Sequence, residues 1–323
     1  VEPYPVLNNE IAPFTQESVS VAGESKMVGA DISFLPELES KGMKFFDKGV
    51  QKDAIEILRD HGFNYVRLRI FNNPAQPKGY APGEGWCDLK NTLLMAKRTK
   101  ALGMKLLLDF HYSDTWADPQ KQFKPEAWEN LPFDRLKTAL RDYTASVIAA
   151  LAAQGTTPDM VQVGNEINHG MVWPDGHAGN PGQLAALVKA GIEGVKSVDP
   201  KVRIMLHVAL GGQWDETALW VDQMMARGCR FDVLGLSFYP KWHGTLDDLK
   251  NNISKLILRY PHPICIVEYS AMKEEVNDLA FSTFRNRVMG TCIWEPLNTW
   301  DKVFDKDGRA NEKLSIFDQY IQK

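Results

Sequence analysis

From Met27 onward the chain repeats one pattern eight times: a short apolar run of strand length, then a longer stretch with helical spacing. Few folds accept that order, because a strand followed by a helix and then another strand is placed to pair in parallel with its successor. The apolar runs cover 27–33, 65–71, 105–113, 160–168, 203–211, 232–239, 264–270 and 288–296. The helical stretches cover 47–60, 89–102, 133–154, a fourth opened by Asn180 and Pro181, 214–227, a sixth capped by Thr245 that stops before Pro261, 274–287 and 311–321. Gly62, Gly103 and Gly155 lie just past the first three, where a left-handed cap suits glycine. Eight such units predict an α/β protein with a single closed (β/α)8 TIM barrel over 26–323, preceded by an extended lead-in over 1–25 that carries Pro3, Pro5 and Pro13. An open doubly wound sheet is the competing layout, but Gly29-Ala30-Asp31-Ile32-Ser33 lacks the G-x-G-x-x-G turn expected after its first strand.

Composition narrows the partners. With 44% hydrophobic and 24% charged residues the chain can bury a sizeable core, and its net charge of −4 carries no Lys/Arg block, so neither nucleic acid nor an anionic membrane is an expected partner. The apolar run 147–153 is far short of the ~20 residues of a membrane helix, which predicts a soluble chain with no membrane-spanning segment. Cys87, Cys229, Cys265 and Cys292 form no C-x-x-C and no metal-ligand cluster, so no disulfide framework, metal or cofactor is expected. The first residue is Val1 rather than Met, which points to a processed or trimmed N-terminus.

Side chains alternate along a strand, and the apolar set must face the surrounding helices. That assignment sends Val66, Leu68 and Ile70 outward and leaves Arg67 and Arg69 inside. By the same rule Asp31, Asp109, His111, Gln162, Gly164, Glu166, His207, Ser237, Tyr239, Glu268 and Trp294 point inward, mostly near the C-terminal ends of their strands, where barrel enzymes build their sites. A purely structural barrel fills these layers with Val, Ile and Leu, since burying two arginines, two histidines and several carboxylates without function is very costly. Seven of the nine tryptophans (Trp86, Trp116, Trp128, Trp173, Trp214, Trp242 and Trp300) fall between a strand end and the next helix or at its start, and about half are expected to stack on sugar rings.

Two glutamates stand out. Glu166 ends the fourth run in Gly164-Asn165-Glu166, and Glu268 ends the seventh in Ile266-Val267-Glu268-Tyr269. Strands four and seven face each other across a barrel mouth, so two carboxylates there can flank one bond, as glycoside hydrolysis requires.

The long third-strand segment Leu108-Asp109-Phe110-His111-Tyr112-Ser113-Asp114-Thr115-Trp116-Ala117-Asp118-Pro119, together with Gly29 to Ser33, Arg67-Leu68-Arg69, Gln162 to Glu166 and Trp294-Glu295-Pro296, resembles the endo-β-1,4-galactanases of glycoside hydrolase family 53, within the retaining clan A hydrolases. The resemblance implies that Glu166 is the acid/base, Glu268 the nucleophile and Asn165 the ligand of the 2-hydroxyl of the attacked sugar. On the residues themselves, Arg69 beside Glu268 is expected to hold it ionised, Tyr239 to donate to the same carboxylate, and His207 to orient Glu166. Asp109 and His111 are placed to bind ligand, or Asp109 to fix Arg69; both readings stay open. Trp116, Trp294 and Trp300 complete the expected substrate-binding set. Glu295 faces the helices by alternation and stands outside catalysis. The calcium-holding insertion that some bacterial members carry after the seventh strand is replaced here by about three residues, 271–273, so that site is expected to be missing; Asp305-Lys306-Asp307-Gly308 lacks the twelve-residue calcium pattern and reads as a turn.

The expected activity is therefore endo-acting, retaining cleavage of β-1,4-galactan side chains of pectin by a monomer that needs no cofactor. A polymer cannot enter a cell whole, which predicts an extracellular, periplasmic or cell-surface location. A clan A hydrolase of mannan or cellulose shares the glutamate pair. A non-catalytic sugar-binding barrel would be expected to lack one of the two acids, and a metal-dependent hydrolase would need an H-x-H pair that is missing here.

Overall fold

A computed structural model of the protein describes residues 17–322, so 1–16 of the expected lead-in lie outside the described residues. Eight parallel strands close into a barrel in chain order: β1 (Met27–Asp31), β2 (Tyr65–Ile70), β3 (Lys105–Phe110), β4 (Met160–Val163), β5 (Arg203–Val208), β6 (Val233–Phe238), β7 (Ile264–Tyr269) and β8 (Val288–Trp294). Closure comes from β8 pairing with β1, which sets Asp31 beside Trp294.

Alternation divides the apolar residues as expected. Val66, Leu68, Ile70, Leu106, Leu108, Val161 and Val163 pack outward in one continuous core with the helices. A separate inner cluster of Met27, Tyr65, Leu107, Met160, Met205, Val233, Cys265, Val267, Met289 and Cys292 fills the lower barrel. Val21, from the described part of the lead-in, is 1% exposed and belongs to this inner cluster, so segment 17–25 closes the barrel floor. The floor is thus apolar, and the polar layer lies above it, toward the strands' C-terminal ends.

The helices follow their punctuation. Asn180 caps helix Pro181–Val198 through Gln183, and Thr245 forms a reciprocal capping box with Asp248 at helix Leu246–Arg259. Gly62, Gly103 and Gly155 take φ of 93°, 73° and 78°. Three segments differ from expectation. The 47–60 stretch divides into a hairpin, Phe45–Asp47 against Val50–Lys52, and a shorter helix Ala54–Asp60 capped by Asp53. Lys48 and Gly49 both have positive φ (48° and 80°), the two-residue turn that matches strand twist, and it ends helical continuity. The 274–287 stretch is helical only over Lys273–Asp278, then widens over Leu279–Thr283, where the Phe284 N–H reaches the Leu279 carbonyl. The last helix is α over Glu312–Ser315 and 3₁₀ over Ile316–Tyr320.

Most sequence-read strands overran the true strands at their C-terminal ends. The overrun residues are the beginnings of the site loops. In the fourth unit, Gly164 (φ 84°) and Glu166 (φ 49°) turn the chain out of extended conformation just past Val163. Residues 305–308 form a turn, closed by the Gly308 N–H on the Asp305 carbonyl and joined to the 45–52 hairpin through Phe46.

Candidate active site

The C-terminal end of the barrel holds a cleft of about 560 Å³, floored by Asp31, Arg67, Asp109, Asn165, Glu166 and Glu268. Its organising group is Arg67, 1% exposed. The guanidinium donates to Asp31 (3.1 Å), Glu268 (3.0 Å), Asp109 (2.9 Å), Asn165 (2.9 Å) and Gln162 (3.1 Å), so one cation ties strands β1, β2, β3, β4 and β7. Carboxylates on every side hold its charge firmly, against the opposing effect of burial.

The expected neighbour of Glu268 was Arg69; the structure places Arg67 there instead. Arg69, one pleat nearer the mouth, turns toward Glu295 (2.5 Å) and Asp31 (3.3 Å), with Phe34 and Trp116 rings at 4.3 and 4.4 Å. Asp109 accordingly fixes Arg67 rather than Arg69, and His111 Nε2 lies 3.2 Å from the same carboxylate oxygen. The Ala117 N–H occupies His111 Nδ1 at 3.0 Å, which assigns the proton to Nε2. Glu295 was expected to face the helices. Its φ of 44° swings it inward onto Arg69 and the Phe34 N–H (3.0 Å), fully buried.

The two glutamates come together, Glu166 on the side that alternation gives it and Glu268 against it. In β7, Val267 joins the inner cluster, so its successor ought to face out; register shifts against β6 and β8 let Glu268 face inward as well. One oxygen of each carboxylate and one nitrogen of His207 lie within 4.8 Å of one another.

Their surroundings differ. Burial, and then the neighbouring charge of Glu268, hold the Glu166 carboxyl well above the usual range. Burial raises Glu268 too, but Arg67 and the Tyr239 hydroxyl (2.8 Å) favour its ionised form. Of the pair, Glu166 is the one that keeps a proton. Tyr239 stays a phenol donor because burial and Glu268 raise it.

His207 acts through a relay. Its Nδ1 lies near two donors, Gln162 Nε2 (2.9 Å) and the Glu166 N–H (3.3 Å), and one acceptor, Asn165 Oδ1 (3.2 Å); the closer Gln162 donor assigns the proton to Nε2, which donates to Ser237 Oγ (2.8 Å). Ser237 in turn donates to Glu166 Oε1 (2.7 Å), leaving Oε2 to carry the acid proton. Burial and Arg67 keep the imidazole neutral, its pKa well below the usual value. Because the Ser237 hydroxyl favours ionised Glu166, Ser237→Ala is expected to raise that carboxyl further and move the alkaline limb of kcat/KM upward, by up to about one pH unit. A downward move of that limb in a pH–rate profile contradicts the relay.

Among the described residues, Glu166, His207 and Glu268 form a trio that brings candidate metal ligands together. The donor set does not suit a resident cation. Both imidazole nitrogens are engaged by protein partners, and Arg67 already supplies the positive charge facing Glu268.

Aromatic rings form one continuous wall: Trp116 from the loop after β3, Trp294 at the end of β8, Trp300 from the loop that follows it, and Tyr239 and Trp242 from the segment after β6. Trp116 meets Trp294 at 6.2 Å, Trp294 meets Trp300 at 4.9 Å, Trp300 meets Tyr239 at 5.1 Å, and Tyr239 meets Trp242 at 5.9 Å. Segments after β3, β4 and β5 also line the cleft, with Asp118, Lys121, Asn168, His169 and Glu216. Trp116, Trp242, Trp294 and Trp300 line the cleft, three of them from the seven tryptophans placed after strand ends. Trp128 instead is buried against Tyr143 and folds its loop down. Asn165 is held by Arg67 and by the Ala117 carbonyl (2.8 Å), its side chain at the cleft floor.

Sequence reasoning named Arg67, Gln162, Ser237 and Asp31 as inward but left them out of the site. Nothing in the alternation marks which inward residue reaches which carboxylate. Trp242 was legible as a rim tryptophan, whereas His169 and Glu216, paired at 3.0 Å, carry no periodic signal.

The family model for glycosyl hydrolase family 53 matches residues 27–289. A protein of Niallia circulans, described as uncharacterized, is 44% identical over 254 residues, covering 76% of this chain and 67% of its own length. The arabinogalactan endo-β-1,4-galactanase of Cellvibrio japonicus is 37% identical over 252 residues, covering 75% of this chain and 64% of that protein. The chain thus spans about two thirds of the length of these two relatives. Among solved structures, the GH53 catalytic domain of Ignisphaera aggregans superposes with a TM-score of 0.86 at 32% identity, covering 93% of this chain and 96% of that one.

Proposed function

The chain belongs to glycosyl hydrolase family 53, and from that membership we propose that it cleaves β-1,4-galactan internally, with retention of configuration, by a two-glutamate double displacement. The observation that carries the mechanism is the proton split of the buried pair. Glu166, raised by burial and by Glu268, is suited to protonate the leaving glycosidic oxygen; Glu268, held by Arg67 and Tyr239, is suited to attack the anomeric carbon. Glu166, now ionised, then takes a proton from water as that water displaces Glu268 from the sugar. The approach of the two groups to within 4.8 Å favours the ~5 to 5.5 Å spacing of retaining enzymes over the ~6.5–9.5 Å of inverting ones.

Substrate choice rests on the family and on a relative named for galactan. The aromatic wall supports it: the rings run as one continuous series from Trp116 to Trp242 along the cleft that holds both acids, which suits a polymer lying across the site. Galactose is linked through an axial 4-hydroxyl, so its β-1,4 polymer bends where cellulose and mannan run straight, and a wall that follows the bend seats flat chains poorly. Such a substrate is met outside the cytoplasm, and the reading carries that location with it.

Reducing-sugar release from galactan, mannan, xylan and cellulose tests the substrate. Galactan is expected to lead in kcat/KM by about 100-fold or more, the cost of a misplacement of ~1 Å at the reacting centre. Comparable rates on mannan remove the galactan assignment. Glu166→Ala is expected to cost polysaccharide hydrolysis about 1,000-fold while sparing aryl glycosides whose acidic phenol leaves without a proton. Equal losses on both substrate types remove Glu166 from the acid role.

A further inference from the structure

Trp300 is 60% exposed, yet it lies at the centre of the aromatic wall, between Trp294 and Tyr239. Burial does not hold an indole that open to solvent. Its main chain is in the left-handed region, φ 41°, which an L side chain adopts only when its neighbours over-determine it. What fixes the segment is the next residue, Asp301.

Lys273 begins the helix after β7, with only three residues between it and Tyr269, and its side chain is 2% exposed. An ammonium has three protons, and each finds an acceptor: the Ser270 carbonyl (3.0 Å), the Asp301 carbonyl (2.6 Å) and Asp301 Oδ2 (2.6 Å). The Asp301 N–H reaches Ser270 Oγ at 3.4 Å, and Lys313 pairs with Asp301 Oδ1. Asp301 is therefore tied to the β7 loop at its amide, its carbonyl and its carboxylate. The β7 loop also follows directly from Glu268. One buried cation thus joins the strand end that carries the nucleophile to the loop that carries the exposed tryptophan.

We infer that Lys273 is a positioning residue for substrate: it pins the β8 loop through Asp301 so that Trp300 stands as a sugar-stacking wall at a set height above Glu268. The inference rests on the galactanase reading for its substrate, but the tether itself does not. Lys273 touches neither sugar nor reacting atoms, and its effect is on how well a chain is seated. A lysine suits the task because a compact ammonium on a flexible stem satisfies main-chain and carboxylate oxygens at once from a buried point.

The test compares Lys273→Met, Trp300→Ala and the double variant on galactan. Lys273→Met is expected to raise KM about tenfold with kcat within about twofold, the mark of lost ground-state seating. The double variant is expected to lie within about twofold of Trp300→Ala alone, because the lysine acts through the tryptophan. A second readout needs no turnover. The Trp300 emission, taken as the difference between proteins with Trp300 and with Trp300→Phe, is expected to move to longer wavelength and to be quenched more by acrylamide once Lys273 is Met. If Lys273→Met does not fold, Asp301→Asn, which keeps the size and removes the carboxylate charge, is expected to shift KM and emission in the same direction by a smaller factor. A folded Lys273→Met with wild-type KM and unchanged Trp300 emission overturns the inference, as does a double variant whose losses multiply. A wild-type protein that releases nothing from galactan fails the substrate reading instead, and the emission comparison then decides the tether separately.

Discussion

Glu268→Ala is expected to lower kcat on galactan by roughly 10⁵- to 10⁶-fold, as removal of a covalent nucleophile does elsewhere. The reason is specific to this pocket. Glu268 is the one carboxylate held by both Arg67 and Tyr239 and brought within 4.8 Å of Glu166, so no neighbour can take over attack. Asp31 and Asp109 share the same arginine but belong to other strands and accept from its other protons. The fold is expected to survive the change, because Arg67 keeps those two partners; thermal melting should move little. Removing the Glu268 charge also takes away the second-largest cause of the raised Glu166 carboxyl, so any residual activity should lose its alkaline limb at lower pH than wild type. Steady-state rates of the folded variant above about 1% of wild type would exclude Glu268 as nucleophile.

Arg67→Leu carries the second large effect, and it strikes stability as well as turnover. The substitution leaves Asp31, Asp109 and Glu268 without their shared cation, and breaking buried ion pairs from one side costs about 3–5 kcal/mol. For a chain of this size that lowers Tm on the order of 5–10 °C. Activity should fall at least about 1,000-fold, since Glu268 loses the charge that keeps it ionised and Asn165 loses a donor that orients it. The pH dependence has a definite sign. Arg67 is the largest influence opposing the raised Glu268 carboxyl, so its loss raises that group further above its unfolded value. A group raised in the folded state contributes its stability below the unfolded pKa and loses it as pH rises through the folded one. The gap in Tm between variant and wild type is therefore expected to narrow toward pH 4 and widen toward pH 8. Arg69→Leu makes the contrast: its partners are Glu295 and Asp31, and its effect on the Glu268-dependent pH profile should be small.

How much of this was legible in the sequence differs residue by residue. Eight strands could be read because an inside/outside alternation of period two is a local property: Val66, Leu68 and Ile70 face the helices whatever lies opposite them. Caps were legible for the same reason, as Thr245 with Asp248 and Asn180 before Pro181 show. The hairpin at 45–52 was written locally too, in Lys48-Gly49, but a helical period running through 47–60 masked it. Glu166 and Glu268 could be assigned to the mouth because the order and direction of the eight runs were legible, even though each run overran its strand's end.

Tertiary structure alone decided the rest. Alternation gives the side of a strand on which a residue lies; it does not give its height in the barrel or the reach of its side chain across it. Arg67 and Arg69 share one face of β2, and only the closed barrel sends the first to Glu268 and the second to Glu295. Changes at strand ends also break the period where it matters most: φ of 44° at Glu295 and the register shift before Glu268 each redirect a carboxylate against the local pattern. The proton split follows from those placements, because burial and the distance to a neighbouring charge belong to the assembled pocket, and no single segment of the chain contains them.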